Sequence, residues 1–211
     1  MKRNTHEPVA PTVYLLDDDH SIRESLSDLF LSVGIPARSF GSSKEFLEGA
    51  DIAAPGCILL DVRLPGVSGL DFYRELNRIG SKLPVIFLTG YGDIPMGIQA
   101  MKDGAVDFLT KPFRDQDVLD AVTVALARDA AAREAVAATQ DVRRLLESLT
   151  PREREVLTAV NKGLMNKQIA YQLGISEVTV KLHRGSVMRK MQVRTLADRN
   201  RPIGTACRLR S

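Results

Sequence analysis

Cysteine is almost missing from this chain. Cys57 and Cys207 are the only two, far apart in sequence, so neither a disulfide framework nor a zinc-type ligand spacing is available, and a reducing compartment fits best. Long apolar runs are missing too. Stretches such as Val85–Leu88 fall far short of the ~20 residues that cross a bilayer. The first residues, 1–11, are polar and hold no apolar segment of signal-peptide length, so the expectation is a cytoplasmic protein with no membrane contact. Proline and glycine are absent between Asp115 and Leu149, and half of the residues from Ala121 to Ala138 are alanine, which predicts one long helix over 116–148 of about 50 Å. That helix suits either a rigid spacer or part of a coiled-coil seam.

What is present is a globular composition, 44% hydrophobic and 26% charged over 211 residues, enough for one or two compact domains. The formal charge of +3 conceals an asymmetry. Residues 1–128 carry a net charge of −5, while residues 148–211 carry +9. A small module this basic has the electrostatic footprint of a protein that sits on phosphates, so nucleic acid is the leading partner.

Between residues 12 and 128, short apolar runs alternate with segments of helical period, the pattern of a parallel sheet covered by helices on both faces. Five strands are predicted, at Val13–Leu16, Ala37–Phe40, Cys57–Leu60, Val85–Leu88 and Asp107–Leu109, with Ser21, Ser42 and Ser68 at positions where helix N-caps are wanted. Polar residues recur immediately after strands. Asp17, Asp18 and Asp19 follow the first, Asp61 the third, Thr89 the fourth and Lys111 the fifth. Open parallel sheets bind ligands outside these carboxyl ends, so four separate segments converge on one pocket. Three carboxylates facing one another repel, and oxygen-only ligands with room for water suit Mg²⁺. Within such a pocket Asp61 can attack a phosphoryl donor and form an acyl phosphate, with the Lys111 ammonium stabilising the transferring oxygens.

The segments LLDDD, LLDVRLPGVSG, LTGYGD and FLTKPF, in this order, resemble the receiver domain of bacterial two-component response regulators, closest to the FixJ-like branch, over about residues 10–128. The resemblance implies a flavodoxin-like α/β fold with strand order 2-1-3-4-5. It implies Asp61 as phosphoacceptor and Mg²⁺ held by Asp17, Asp18, Asp61 and the backbone carbonyl of Arg63. Thr89 and Phe108 become the switch that answers to phosphorylation, and Asp19 stands behind the acidic pair, possible as N-cap of the first helix. A sensor histidine kinase is the implied donor, and a phosphorylated homodimer through the segment from about Ile94 to Arg128 the implied product.

After Leu149, Thr150 with Pro151 and Glu153 reads as a capping box at a helix start, and Gly163 closes that helix. Asn166–Leu173 forms a second helix, and Gly174-Ile175-Ser176 turns into a third that begins near Glu177, a helix-turn-helix pattern. At about 100° per residue, Val180, Val187 and Met191 share one face of the third helix, whereas Lys181, Leu182, Gly185, Ser186 and Arg189 occupy the other half, free to enter a major groove. Gly185 permits close approach. Arg184 falls beside the apolar stripe and is not assigned to base readout.

The segments LTPREREVL, NKQIA, LGISEVTVKLHR and VMRKM resemble the LuxR-type (GerE-like) DNA-binding domain over about residues 148–196. The resemblance makes Glu177–Met191 the recognition helix. Lys167, Thr179 and Arg189 become phosphate-contact candidates, Asn166 a further DNA-binding candidate, and Lys181, Leu182 and Ser186 the readers of sequence. It also implies a fourth, apolar helix, which Pro202 and Gly204 in the basic segment 198–204 oppose. The expected organisation is a receiver over 10–128, a helical linker over 129–147 and an all-α helix-turn-helix domain over 148–211. The expected function is phosphorylation-controlled regulation of transcription, with double-stranded promoter DNA and RNA polymerase as further partners and no enzyme turnover. The rival reading is a Mg²⁺-dependent phosphatase with an Asp nucleophile. It calls for a second acid two residues on, and position 63 is Arg.

Overall fold

A computed structural model describes residues 10–90 and 94–192. It divides into two compact units, residues 1–132 and 133–211, with the division falling inside one helix. In chain order the elements of the first unit are β1 (Thr12–Leu16), α1 (His20–Ser32), β2 (Ala37–Phe40), α2 (Ser43–Gly49), β3 (Gly56–Asp61), β4 (Arg63–Leu64), β5 (Val67–Ser68), α3 (Gly69–Arg78), β6 (Val85–Thr89), α4 (Ile94–Lys102) and β7 (Asp107–Thr110), followed by the long α5 (Asp115–Glu147). The parallel sheet runs β2-β1-β3-β6-β7. With the short β4–β5 hairpin set aside, this is the expected order 2-1-3-4-5.

Strand periodicity builds two cores from one sheet. Tyr14, Leu16, Ile58, Leu60, Val85 and Phe87 point to one face, where Phe46 of α2, Phe72 and Leu76 of α3 and Ala100 of α4 cover them. Their neighbours Val13, Leu15, Cys57, Leu59, Ile86 and Leu88 point to the other, against Leu26 and Phe30 of α1 and Val118, Val122 and Ala125 of α5. With both faces buried, the central strands read as continuous apolar runs, as parallel sheets require. Cys57 lies in this interior, and burial, with the Asp129 carboxylate adding to it, pushes its thiol up to about 12, so it is an inert packing group.

The hairpin was not expected from the sequence. Arg63 pairs with Ser68 and Leu64 with Val67, leaving Pro65-Gly66 as a two-residue turn in which Gly66 has φ +80°, a conformation glycine takes without strain. Of the two candidates for the first cap, Asp19 and Ser21, Asp19 caps α1, its carboxylate accepting from the Ser21 N–H at 2.9 Å; Ser21 lies inside the first turn. Ser42 caps α2 as expected, whereas Ser68 stands at the N-cap of α3 without a side-chain hydrogen bond.

The second unit holds the remainder of α5, then α6 (Pro151–Asn161), α7 (Asn166–Leu173) and α8 (Glu177–Lys190). Val156, Ala159 and Val160 of α6, Ile169 and Ala170 of α7 and Val180 of α8 make its core, and a second cluster joins Leu149, Val187 and Met191. Residues 193–211, and with them the expected departure at Pro202 and Gly204, lie outside the described residues. No helix among the described residues is long and apolar enough to cross a membrane.

Asp129 is 3% exposed, and its carboxylate accepts the N–H of Gly56 at 3.1 Å, fastening α5 to the start of β3. Asp129→Ala strands that buried N–H, so urea unfolding should show a loss of about 1–3 kcal/mol. An unchanged midpoint would contradict this anchoring.

Candidate functional site: an acidic pocket and a helix-turn-helix

Register assembles the pocket. Leu16 pairs with Leu60, Asp61 with Leu88 and Thr89 with Thr110, so the residues that follow these strands emerge side by side at one edge of the sheet. Single carboxylate oxygens of Asp17, Asp18 and Asp61 all lie within 4.8 Å of one another. Asp17 and Asp61 are buried and Asp18 is exposed. Lys111 directly follows β7 and precedes a cis bond to Pro112, and its Nζ donates to Asp17 at 2.7 Å and to Asp61 at 2.8 Å.

Each contact has a backbone cause. The Asp17 carboxylate accepts the N–H of Asp19 at 3.0 Å, and Arg23 of α1 donates to the Asp17 carbonyl at 2.6 Å. The Arg63 N–H donates to Asp61 at 3.1 Å, so the first residue of the hairpin lies against the carboxylate. Glycine is required at position 69, where a Cβ would overlap the carbonyl oxygen of Asp61. Here α3 begins hard against the end of β3.

The charges do not balance. Three carboxylates face one ammonium. Burial raises the Asp17 carboxyl above its ordinary value and outweighs the hydrogen bond from Lys111. At Lys111 burial acts downward, but the hydrogen bonds to Asp17 and Asp61 prevail and hold the ammonium up. A cluster of hard oxygen donors with surplus negative charge fits a hard divalent cation.

Thr89 is fully buried, and its hydroxyl donates to the Gly90 carbonyl at 2.9 Å, so in this state it is turned to its own neighbour and not to Asp61. Phe108 is half-buried on β7 with its ring beside Gly97 of α4, where a Cβ would press into the ring at 2.9 Å.

In the second unit the capping box is complete. Thr150 accepts from the Glu153 N–H, and Glu153 accepts from the Thr150 N–H. Glu153 is 5% exposed and also receives Lys190 at 2.7 Å and Ser186 at 2.6 Å, both from α8. This corrects one expectation. The helical wheel puts Ser186 on the open half of α8, but α6 packs on that side and takes its hydroxyl, so Ser186 is not free for base readout. Gly174, with φ +64°, ends α7, and Ser176 caps α8. The Thr179 hydroxyl pairs with Ser176 at 2.8 Å, and the Asn166 side chain accepts from Arg184 at 2.8 Å, bracing α7 against α8. Lys167, Lys181, Leu182, Gly185 and Arg189 are exposed. Val180, Val187 and Met191 are buried at no more than 9% exposure. The sequence reasoning missed the Glu153–Ser186–Lys190 network; the only signal for it was an acid at the third position of a helix, already explained by the cap.

The comparisons with known proteins agree with this geometry. Residues 13–123 match the response regulator receiver domain, and residues 147–199 match the luxR family of bacterial regulatory proteins. Nodulation protein W of Bradyrhizobium diazoefficiens is 51% identical over 195 residues, covering 92% of this chain and 86% of that one. Transcriptional regulatory protein FixJ of Azorhizobium caulinodans is 42% identical, covering 90% of each. The solved structure of the response regulator StyR superposes with a TM-score of 0.84 at 43% identity, covering 94% of this chain and 98% of that one. The chain belongs to the response regulators that join a receiver domain to a LuxR-type DNA-binding domain. Its relatives are transcriptional regulators of two-component systems, close to FixJ, nodulation protein W and TodT.

The hydrogen bonds from Lys190, Ser186 and the Thr150 N–H lower the Glu153 carboxyl from 4.5 to about 2. Because the folded value lies below the ordinary one, the stabilisation is complete above pH 4.5 and disappears as pH falls toward 2. The stability advantage of wild type over Glu153→Gln in the full chain should therefore be constant above about pH 4.5 and shrink below it, read by urea unfolding. An advantage that grew on acidification would contradict the assignment.

Proposed function

We propose that Asp61 takes a phosphoryl group from a sensor histidine kinase and that this mark controls how the C-terminal unit grips promoter DNA. The observation that carries the reading is the Lys111 ammonium bridging Asp17 and Asp61 inside the acidic cluster. Asp17, Asp18, Asp61 and the backbone carbonyl of Arg63 would hold Mg²⁺, which supplies the positive charge that neutralises the transferring oxygens. A carboxylate oxygen of Asp61 attacks phosphorus, the bond from phosphorus to the histidine nitrogen breaks, and its electron pair returns to the imidazole. Lys111 holds Asp61 in place and meets the charge added to it.

The new phosphoryl oxygens need a donor. The Thr89 hydroxyl supplies one by leaving Gly90, and Phe108, packed over Gly97, follows the vacated space. A homodimer through α4, β7 and the start of α5 is the form we assign to the phosphorylated chain, with RNA polymerase recruited at the promoter and the cytoplasm as its compartment. The receiver extends over 10–128 and the helix-turn-helix domain over 148–211, with residues 129–147 as linker. Lys167 and Arg189 contact phosphates, with Asn166 and Thr179 bracing the motif beside them. Lys181 and Leu182 meet base edges, and the absent side chain at Gly185 lets the helix approach. A phosphatase is disfavoured because Arg63 occupies the position of the required second acid.

Acetyl phosphate with Mg²⁺ should label the wild type and leave Asp61→Asn unlabelled by mass spectrometry; equal labelling would contradict the assignment. In binding titrations over salt, Lys167→Ala should weaken all duplexes alike and reduce the salt slope by about one, whereas Lys181→Ala should relax sequence preference. Equal losses across unrelated duplexes for both variants would remove Lys181 from base readout.

A further inference from the structure

Helix α8 carries apolar side chains on two faces. Val180 and Val187 are buried, but Val178 and Leu182, one turn apart on the opposite side, are 68% and 70% exposed. Gly185 follows three residues after Leu182 on this outward ridge, and Arg189 extends it. Glycine is among the poorest helix residues, and in mid-helix it needs a reason. None is found among the described residues of the domain. A Cβ built at position 185 meets nothing within 4 Å, and the residue is not among those with positive φ. Among the described residues the space above Gly185 is open.

We propose that Val178, Leu182 and Gly185 form an apolar-walled notch that seats the C5 methyl of a thymine, making thymine the required base at one position of each half-site. This rests on the reading that α8 enters the major groove. The occupant follows from two facts. Lys181 and Arg189 flank the notch and Lys167 stands exposed on α7, so the surface faces a polyanion; a second copy of the same basic ridge would repel it. Among the groups that bases present in the major groove, the thymine methyl is the apolar one. Leu182 supplies contact area, and Gly185 supplies the depth that lets the base edge reach it.

The test begins with random-sequence duplexes selected by the full chain in the presence of acetyl phosphate and Mg²⁺. The selected duplex is then remade with deoxyuridine in place of each half-site thymine in turn, which removes the methyl and keeps every hydrogen bond. At one position the wild type should bind the deoxyuridine duplex about fourfold more weakly, the value of one buried methyl. Leu182→Ala should bind the two duplexes equally. Gly185→Ala should raise the unfolding temperature while the ratio of selected to unselected affinity falls about tenfold, a result that misfolding does not give. Equal wild-type binding of thymine and deoxyuridine duplexes, or Gly185→Ala with undiminished selectivity, overturns the notch alone. A selection that enriches no sequence overturns sequence reading by α8 and the notch with it.

Discussion

The first unit is organised around a charge imbalance. Asp17, Asp18 and Asp61 face one another with the Lys111 ammonium bridging Asp17 and Asp61, at the edge where the ends of β1 and β3 meet the residue after β7. Repulsion among these carboxylates works against the fold, so the scaffold has to hold them by other means. It does so with two buried cores on opposite faces of the sheet, with the Asp19 N–H and the Arg63 N–H on the carboxylates, and with a glycine at position 69 that lets α3 start against Asp61. Residual negative charge is thereby available for a cation and for a reaction that shifts it.

On the proposed reading, the second unit solves a different problem, the placing of an exposed helix on a polyanion. Its basic residues Lys167, Lys181 and Arg189 contribute nothing to its core, which is left to Val156, Ile169, Val180 and their neighbours. The buried Glu153 draws Lys190 and Ser186 inward, so that a segment rich in positive charge is tied to α6 by one acid. Arg184 on Asn166 braces the two helices of the motif. Rigid placement of α8 is the condition for reading a groove, and these polar contacts supply it at the periphery of a small core.

Much of this was legible beforehand. Parallel strands buried on both faces announce themselves as apolar runs, and the acids and Lys111 stand directly after them, so the pocket followed from position, while the strand order came with the resemblance to receiver domains. Helix starts at Thr150 and Ser42 were readable because caps are local. What escaped was set by tertiary contact or by competition between neighbours. Which of the two named candidates caps α1 was decided by place: Asp19 prevailed over Ser21 because it lies at the end of the loop where the N–H groups are unpaired. The Pro65-Gly66 hairpin is too short for any alternation to show. Ser186 looked free on a helical wheel because the wheel does not contain α6. The orientation of Thr89 toward Gly90 depends on a loop conformation with no sequence signature.

If this pocket takes a divalent cation as the condition of its chemistry, calorimetric titration of Mg²⁺ into the full chain should show one ion bound per chain, with the binding heat lost in Asp17→Asn. Absence of binding by the wild type, or undiminished binding by Asp17→Asn, would contradict it.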